Sequence, residues 1–311
     1  GIAPERYGDI FTFILLSSLL FRPLRHIADK FNVLQMGMVA AGRVFAILDD
    51  TGQLEEEGDT ELDEVKGKVA FKDVVFAYDP EKPVLRGVNF NIEPGQCIAV
   101  VGATGAGKST LINLLNRFYE IENGAIEIDD LDIRRMTLRG LRSHISVVLQ
   151  DVFLFADTIE KNITLGNPNI TLDTVIEAAK AIGVHEFIKA LPGGYHFEIN
   201  ERGSTLSSGQ RQLISFLRAY VANPSILVLD EATSSIDTYA EQLIQRATEK
   251  ITEGRTSIII AHRLATVQKA DVILVMDQGQ VVERGSHEEL LSKKGMYYQL
   301  YQAQFAVLSE A

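Results

Sequence analysis

The chain has 311 residues, 46% of them hydrophobic and 23% charged, ordinary proportions for a folded protein with room for one big domain and an appendage. Thirty basic residues stand against 42 acidic ones, and the resulting charge of −12 argues against a nucleic-acid partner. A single cysteine, Cys97, excludes a disulfide framework within the chain, and six scattered histidines give no zinc-site spacing.

The chain opens at Gly1 with no signal-peptide layout, and it is expected to be an internal fragment of something longer. Residues 10–21 are an uncharged, mostly apolar run of twelve, where a bilayer-spanning helix needs about twenty. Arg22, Arg25, His26 and Lys30 follow at once, as basic residues do on the cytoplasmic side of a membrane helix. After Pro23 the apolar pattern continues at helical spacing through Leu24, Ile27, Phe31, Leu34, Met38 and Ala41. Two readings fit this segment alone: the end of a membrane helix running into the cytoplasm, or a buried amphipathic helix of a soluble domain. Residues 1–48 form this helical extension. From Asp49 the composition turns acidic, with Asp50, Glu55, Glu56, Glu57, Asp59, Glu61, Asp63 and Glu64, and loses its apolar periodicity. Residues 49–66 read as a solvated linker and a domain boundary.

A domain of alternating strands and helices is expected over 67–311. Strands are predicted at 69–78, 88–92, 97–101, 125–128 and 145–149, the third entered through a Pro94–Gly95 turn. Helices are predicted at 111–118, 172–181, 185–191 and 208–221. Further strands follow at 226–229, 256–260, 272–276 and 281–285, and a last helix runs from Met296 to about Phe305. Continuous apolar strands alternating with helices argue for a parallel sheet covered on both faces, hence an α/β fold.

The chemistry begins at Gly102-Ala103-Thr104-Gly105-Ala106-Gly107-Lys108-Ser109-Thr110. It stands between an apolar strand and a helical pattern, the order a phosphate cradle needs. Glycines let successive N–H groups turn toward an anion, and the helix adds its positive dipole end. Lys108 can reach the β- and γ-phosphates, and the Ser109 hydroxyl can ligate Mg²⁺. The segment predicts binding of a nucleoside triphosphate; a ligand-free glycine turn is the bland alternative. Ile226–Leu229 ends in Asp230 and Glu231, a carboxylate placed to hold Mg²⁺ and a second one able to polarise an attacking water. Leu206-Ser207-Ser208-Gly209-Gln210 precedes a long helix, and small hydroxyl residues at a helix start again describe an anion site.

With these three segments in order, residues 67 to about 305 resemble the nucleotide-binding domain of ATP-binding-cassette transporters. Leu206–Gln210 is similar to that family's LSGGQ signature, with Ser208 where the third residue is usually glycine. The resemblance implies a P-loop NTPase (RecA-like) core with a parallel sheet, an antiparallel β subdomain and a helical subdomain. It implies that Tyr78 stacks on adenine and that Gly102, Thr104, Gly105, Ala106, Gly107, Lys108, Ser109 and Thr110 hold the phosphates. Gln150 resembles the Q-loop glutamine, which helps position Mg²⁺ and water. Ser109, Gln150 and Asp230 would thus be the metal ligands, Glu231 the general base and His262 the switch histidine at the γ-phosphate. Ser234-Ser235-Ile236-Asp237 resembles the D-loop, often SALD, and matches at Asp237. Asn200-Glu201-Arg202-Gly203 resembles the exporter X-loop, and in exporters the last membrane helix runs on into the cytoplasm, which favours the membrane reading of residues 1–48.

The implied function is an ATP-hydrolysing motor of a membrane exporter of the multidrug, lipid or peptide type. It would use ATP and Mg²⁺ and lie on the cytoplasmic face of the plasma membrane. Its implied partners are the transmembrane domain of the same transporter and a second nucleotide-binding domain, in a homodimer or a heterodimer. ATP would lie between one domain's Lys108 loop and the other's Ser207, Ser208, Gly209 and Gln210. Two rivals stand beside this reading. A soluble cassette ATPase acting on nucleic acid or the ribosome predicts a basic surface and no membrane leader. A regulatory domain that binds ATP without hydrolysing it predicts loss of the base or the switch histidine, and Glu231 and His262 are both present.

Overall fold

The computed structural model describes residues 5–49, 58–200, 203, 205–230, 238–261 and 263–304. It divides into two compact units, Gly1–Glu55 and Glu56–Ala311.

Among the described residues of the first unit runs one helix, α1 (Glu5–Leu48), about 66 Å long at ~1.5 Å per residue. The apolar run at 10–21 continues through Pro23, which lies inside the helix. Among the described residues α1 is the one helix long and apolar enough to cross a membrane. Its apolar side chains are exposed, Phe13 at 72% and Met36 at 73%.

In the second unit, the stretch expected as a solvated linker is held from Gly58 onward. Thr60 donates its N–H to the Arg135 carbonyl at 3.0 Å and accepts from Thr137 N–H at 3.0 Å. The Asp129 carboxylate accepts from the backbone N–H groups of Lys66 and Lys68 at 2.6 and 2.8 Å. Leu62 and Val65 are half-buried against the core. Acidic side chains hid this docking, because backbone groups and two apolar residues carry it; residues 50–57 lie outside the described part.

A long hairpin follows, β1 (Val69–Asp79) and β2 (Lys82–Ile92), with Phe71 and Phe90 stacked at 4.5 Å across it. β2 starts at Lys82 where Val88 was expected. Pro83 and the polar run around it mimic a turn, yet Leu85 is fully buried. Next come β3 (Cys97–Gly102), α2 (Lys108–Leu115), β4 (Asn123–Ile128), β5 (Leu131–Asp132), α3 (Leu138–Ser143) and β6 (Ile145–Val148). The helical stretch holds α4 (Ile159–Thr164), α5 (Leu172–Ala181), α6 (His185–Lys189) and α7 (Ser208–Val221), and leads to β7 (Ile226–Asp230). The chain then forms α8 (Thr238–Thr252), β8 (Thr256–Ile260), α9 (Leu264–Lys269), β9 (Val272–Asp277), β10 (Gln280–Gly285), α10 (His287–Lys293) and α11 (Met296–Gln304). Thr137, Thr158, Thr171, Ser207 and Ser286 start their helices the same way: each side-chain oxygen accepts the N–H three residues on, closing the first turn.

The strands form an antiparallel sheet, β2-β1-β4-β5, and a larger one, β10-β9-β3-β8-β7-β6, parallel except for the edge strand β10. The period-2 alternation of the parallel strands sorts their side chains into two cores. Ile98, Val100, Ile226, Val228, Ile258, Ile260, Leu274 and Met276 meet α2 and the antiparallel sheet. Ala99, Val101, Leu227, Leu229, Ile259, Ile273 and Val275 meet the helices on the other face. This is the α/β fold expected from the sequence, with its parallel core, antiparallel β part and helical part behind an N-terminal helical extension.

Ile273 on β9 is fully buried, whereas Val282 on β10 is 46% exposed. Ile273→Ala is expected to lower unfolding free energy by about 2–5 kcal/mol through transfer and cavity losses. Val282→Ala is expected to change it by under ~0.5 kcal/mol. Urea titration of both variants checks the contrast.

Candidate functional site

Parallel strands share a direction, so the carboxyl ends of β3, β8, β7 and β6 open on one edge. Gly102 ends β3, Asp230 ends β7, and Gln150 follows β6 in an exposed bend. β8 lies between β3 and β7, and its last residue, Ile260, pairs with Val100 on one side and Asp230 on the other. Glu231, His262, Ser234–Asp237, Glu201 and Arg202 lie outside the described residues; Asn200 is exposed and Gly203 buried.

The loop after β3 is held in shape by its own backbone. Gly102, Gly105 and Gly107 take φ of +154°, +83° and +100°, values that disfavour a side chain. A Cβ on Gly102 would fall 2.2 Å from the Met276 carbonyl oxygen. Ala106 is buried in the core, and its carbonyl accepts from Gly279 N–H at 3.2 Å. Thr104 and Ser109 are exposed and Thr110 is buried. Gly107 caps α2 without a side-chain hydrogen bond, and the first turn carries no acid. The first N–H groups of α2 and its positive dipole end can therefore receive an anion. Lys108 Nζ donates to the carbonyls of Gly102 and Ala103 at 2.8 and 2.9 Å. Burial pushes its ammonium below the ordinary lysine value, and the Asp230 charge opposes that shift. Lys108 and Asp230 thus share one electrostatic neighbourhood although one begins α2 and the other ends β7.

Tyr78 stands at the end of β1, 49% exposed. Its ring meets Phe76 and Tyr119 edge to face, with centroids 4.9 and 5.0 Å away. Asn113 Nδ2 donates to the Tyr78 hydroxyl at 3.0 Å, and that hydroxyl donates to Thr110 Oγ1 at 3.4 Å. The sequence reading missed Asn113 and Tyr119. The available signal was Asn113 itself, one polar residue inside the apolar run Leu111–Leu115 of α2.

Ser207–Gln210 begins α7. The Ser207 hydroxyl accepts from Gln210 N–H at 3.2 Å, and Gln210 Oε1 accepts from Ser207 N–H at 2.9 Å, a reciprocal capping box. Ser207 and Ser208 are exposed, Gly209 is buried and Gln210 half-buried, while Leu206 anchors the turn in the core. Among the described residues no hydrogen bond joins this segment to the Gly102–Thr110 loop.

A metal site made of protein alone is not apparent: among the described residues no group of three or more His, Cys, Asp or Glu could hold an ion. Ser109, Gln150 and Asp230 offer one hydroxyl, one amide and one carboxylate oxygen. That sparse, hard donor set fits Mg²⁺, which keeps several waters and completes its shell with substrate phosphates.

The family model that matches is ABC transporter, over residues 85–234. Those residues form an ABC transporter domain. Matching ABC relatives include the fatty acid ABC transporter ATP-binding/permease protein of Mycobacterium bovis, 48% identical over 95% of this chain and 47% of the relative. Another is the ATP-dependent lipid A-core flippase of Syntrophus aciditrophicus, 44% identical over 96% of this chain and 50% of the relative. A solved structure of a bacterial Atm1-family ABC exporter with ATP bound superposes with a TM-score of 0.77 at 38% identity, over 96% of this chain and 52% of that one. The chain spans about half the length of the curated relatives it matches. The ABC transporter resemblance read from the motifs is thus the family found, and the ABC domain is an ATP-binding one.

Gly102→Ala drives a Cβ into the Met276 carbonyl. It is expected to lower the thermal midpoint and to abolish the further rise that ATP gives, both read in one thermal-shift titration.

Proposed function

We propose that this chain is the ATP-hydrolysing motor part of a membrane exporter. The observation that carries this reading is the meeting of the Gly102–Thr110 loop, Asp230 and Gln150 at the carboxyl edge of one parallel sheet. In this reading the backbone N–H groups of the loop and α2 grip the phosphates, Lys108 exchanges its loop carbonyls for phosphate oxygens, and Tyr78 stacks on adenine. Ser109, Gln150 and Asp230 would hold a Mg²⁺ ion, which would supply charge neutralisation at the phosphates. Glu231, next in sequence after Asp230, accepts the proton of the attacking water, and His262 steadies the γ-phosphate.

A second copy or a related domain completes the site. The first-turn N–H groups of α7, behind Ser207, form an anion-binding end without a hydrogen bond to this chain's own phosphate loop. Two domains facing head to tail would bring each α7 end to the other's loop, and ATP-driven closure would be passed to the membrane domain. α1 has the length and apolar composition of a membrane helix, and the basic cluster Arg22, Arg25, His26 and Lys30 suits its cytoplasmic side. This supports an ATP site on the cytoplasmic face. Relatives named for a fatty acid and for a lipid A core support a lipid-type cargo among the exporter classes.

Glu231→Gln keeps the shape of the side chain and removes the base. It is expected to slow steady-state ATP hydrolysis by about 10²–10⁴-fold while ATP affinity stays within about twofold of the parent. Phosphate release and equilibrium nucleotide binding, measured on the same preparation, check the two halves. Turnover like the parent's would remove Glu231 from the mechanism.

A further inference from the structure

The Tyr78 ring sits at the tip of a hairpin, half-exposed, where an aromatic side chain is ordinarily free to change rotamer. Here it is tethered. Its hydroxyl is held by Asn113 at 3.0 Å and reaches Thr110 at 3.4 Å, and its ring is flanked by Phe76 and Tyr119. Thr110 and Asn113 lie three positions apart on α2, so they share one helix face. The same helix begins at Gly107 and Lys108, the phosphate end.

We infer that Asn113 is a positioning residue for the nucleotide base: it clamps Tyr78 to the phosphate-loop helix, so that α2 sets the span between the base seat and the phosphate seat. The inference rests on the proposed stacking of adenine on Tyr78 and adds a residue outside the family's motifs. Its physical content is preorganisation. A ring fixed before the base arrives loses less conformational freedom on stacking, so part of the nucleotide affinity resides in a hydrogen bond that touches no nucleotide atom. The segment from Lys108 to Asn113 covers about 7.5 Å at the rise of an α-helix, a rigid spacer that a loop-borne tyrosine would otherwise lack.

The test is equilibrium binding of ATP and of inorganic tripolyphosphate to the full chain in detergent micelles with EDTA present, read by calorimetry without turnover. Tripolyphosphate engages the phosphate loop and has no base. Asn113→Ala and Tyr78→Phe are each expected to weaken ATP about fivefold, the size of one net hydrogen bond, and to leave tripolyphosphate unchanged. The double variant is expected to bind ATP as Tyr78→Phe alone does, because both changes remove the same bond. Tyr78→Ala is expected to weaken ATP about ten- to a hundredfold and checks the stacking itself. Unchanged ATP affinity in Tyr78→Ala, with tripolyphosphate still bound, overturns the adenine reading and this inference with it. Normal ATP affinity in Asn113→Ala beside a weakened Tyr78→Ala overturns the inference alone. Equal loss of ATP and tripolyphosphate in Asn113→Ala also overturns it, since the helix itself would then have shifted.

Discussion

The parallel sheet is buried on both faces, and that constraint governs where chemistry can occur. The apolar side chains of β3, β7, β8 and β9 enter one of two cores. The buried polar side chains of β8, Thr256 and Ser257, are already engaged by the Gly95 N–H and the Arg255 carbonyl. Function is therefore confined to the ends of the strands, and shared strand direction collects the carboxyl ends on one edge. The glycine loop, Asp230 and Gln150 are neighbours for this reason, although long helical insertions separate them along the chain.

Much of this was legible beforehand because the signals are local. β8, α5 and α7 have the bounds that apolar runs and N-cap hydroxyls indicate, with Ser207 closing α7 and Thr171 closing α5. The phosphate loop was legible for the same reason: its glycines, lysine and flanking strand lie within a few consecutive residues. What escaped depends on contacts across the fold. The first half of β2 reads as a turn at Pro83, and only the register with β1 reveals that Leu85 is core. The acidic stretch reads as solvated, and only residues far along the chain, Asp129, Arg135 and Thr137, show where its backbone is caught. Asn113 looks like one more residue of a helix until β1 brings Tyr78 against it. Local pattern names elements and motifs; it does not name the residue that holds a motif in place.

The two ends of the candidate ATP site differ in construction. The phosphate end is backbone, fixed by positive-φ glycines and by the Gly279 to Ala106 hydrogen bond. The base end is a side chain on a hairpin, fixed by other side chains. Backbone grips triphosphates through geometry that every nucleotide shares, whereas the aromatic end responds to the base. In the proposed site α2 serves both ends, with its first turn for phosphate and its second for Tyr78.

The capping box of α7 settles which atoms of that helix end remain available. Of the first three N–H groups, that of Gln210 is taken by the Ser207 hydroxyl, which leaves those of Ser208 and Gly209. Position 208 therefore offers its amide nitrogen, and the identity of its side chain is secondary. Serine in place of glycine there keeps the backbone donor and adds a hydroxyl beside it. The residue that position 208 has to refuse is proline, which the first turn of most helices welcomes and which would here delete a donor.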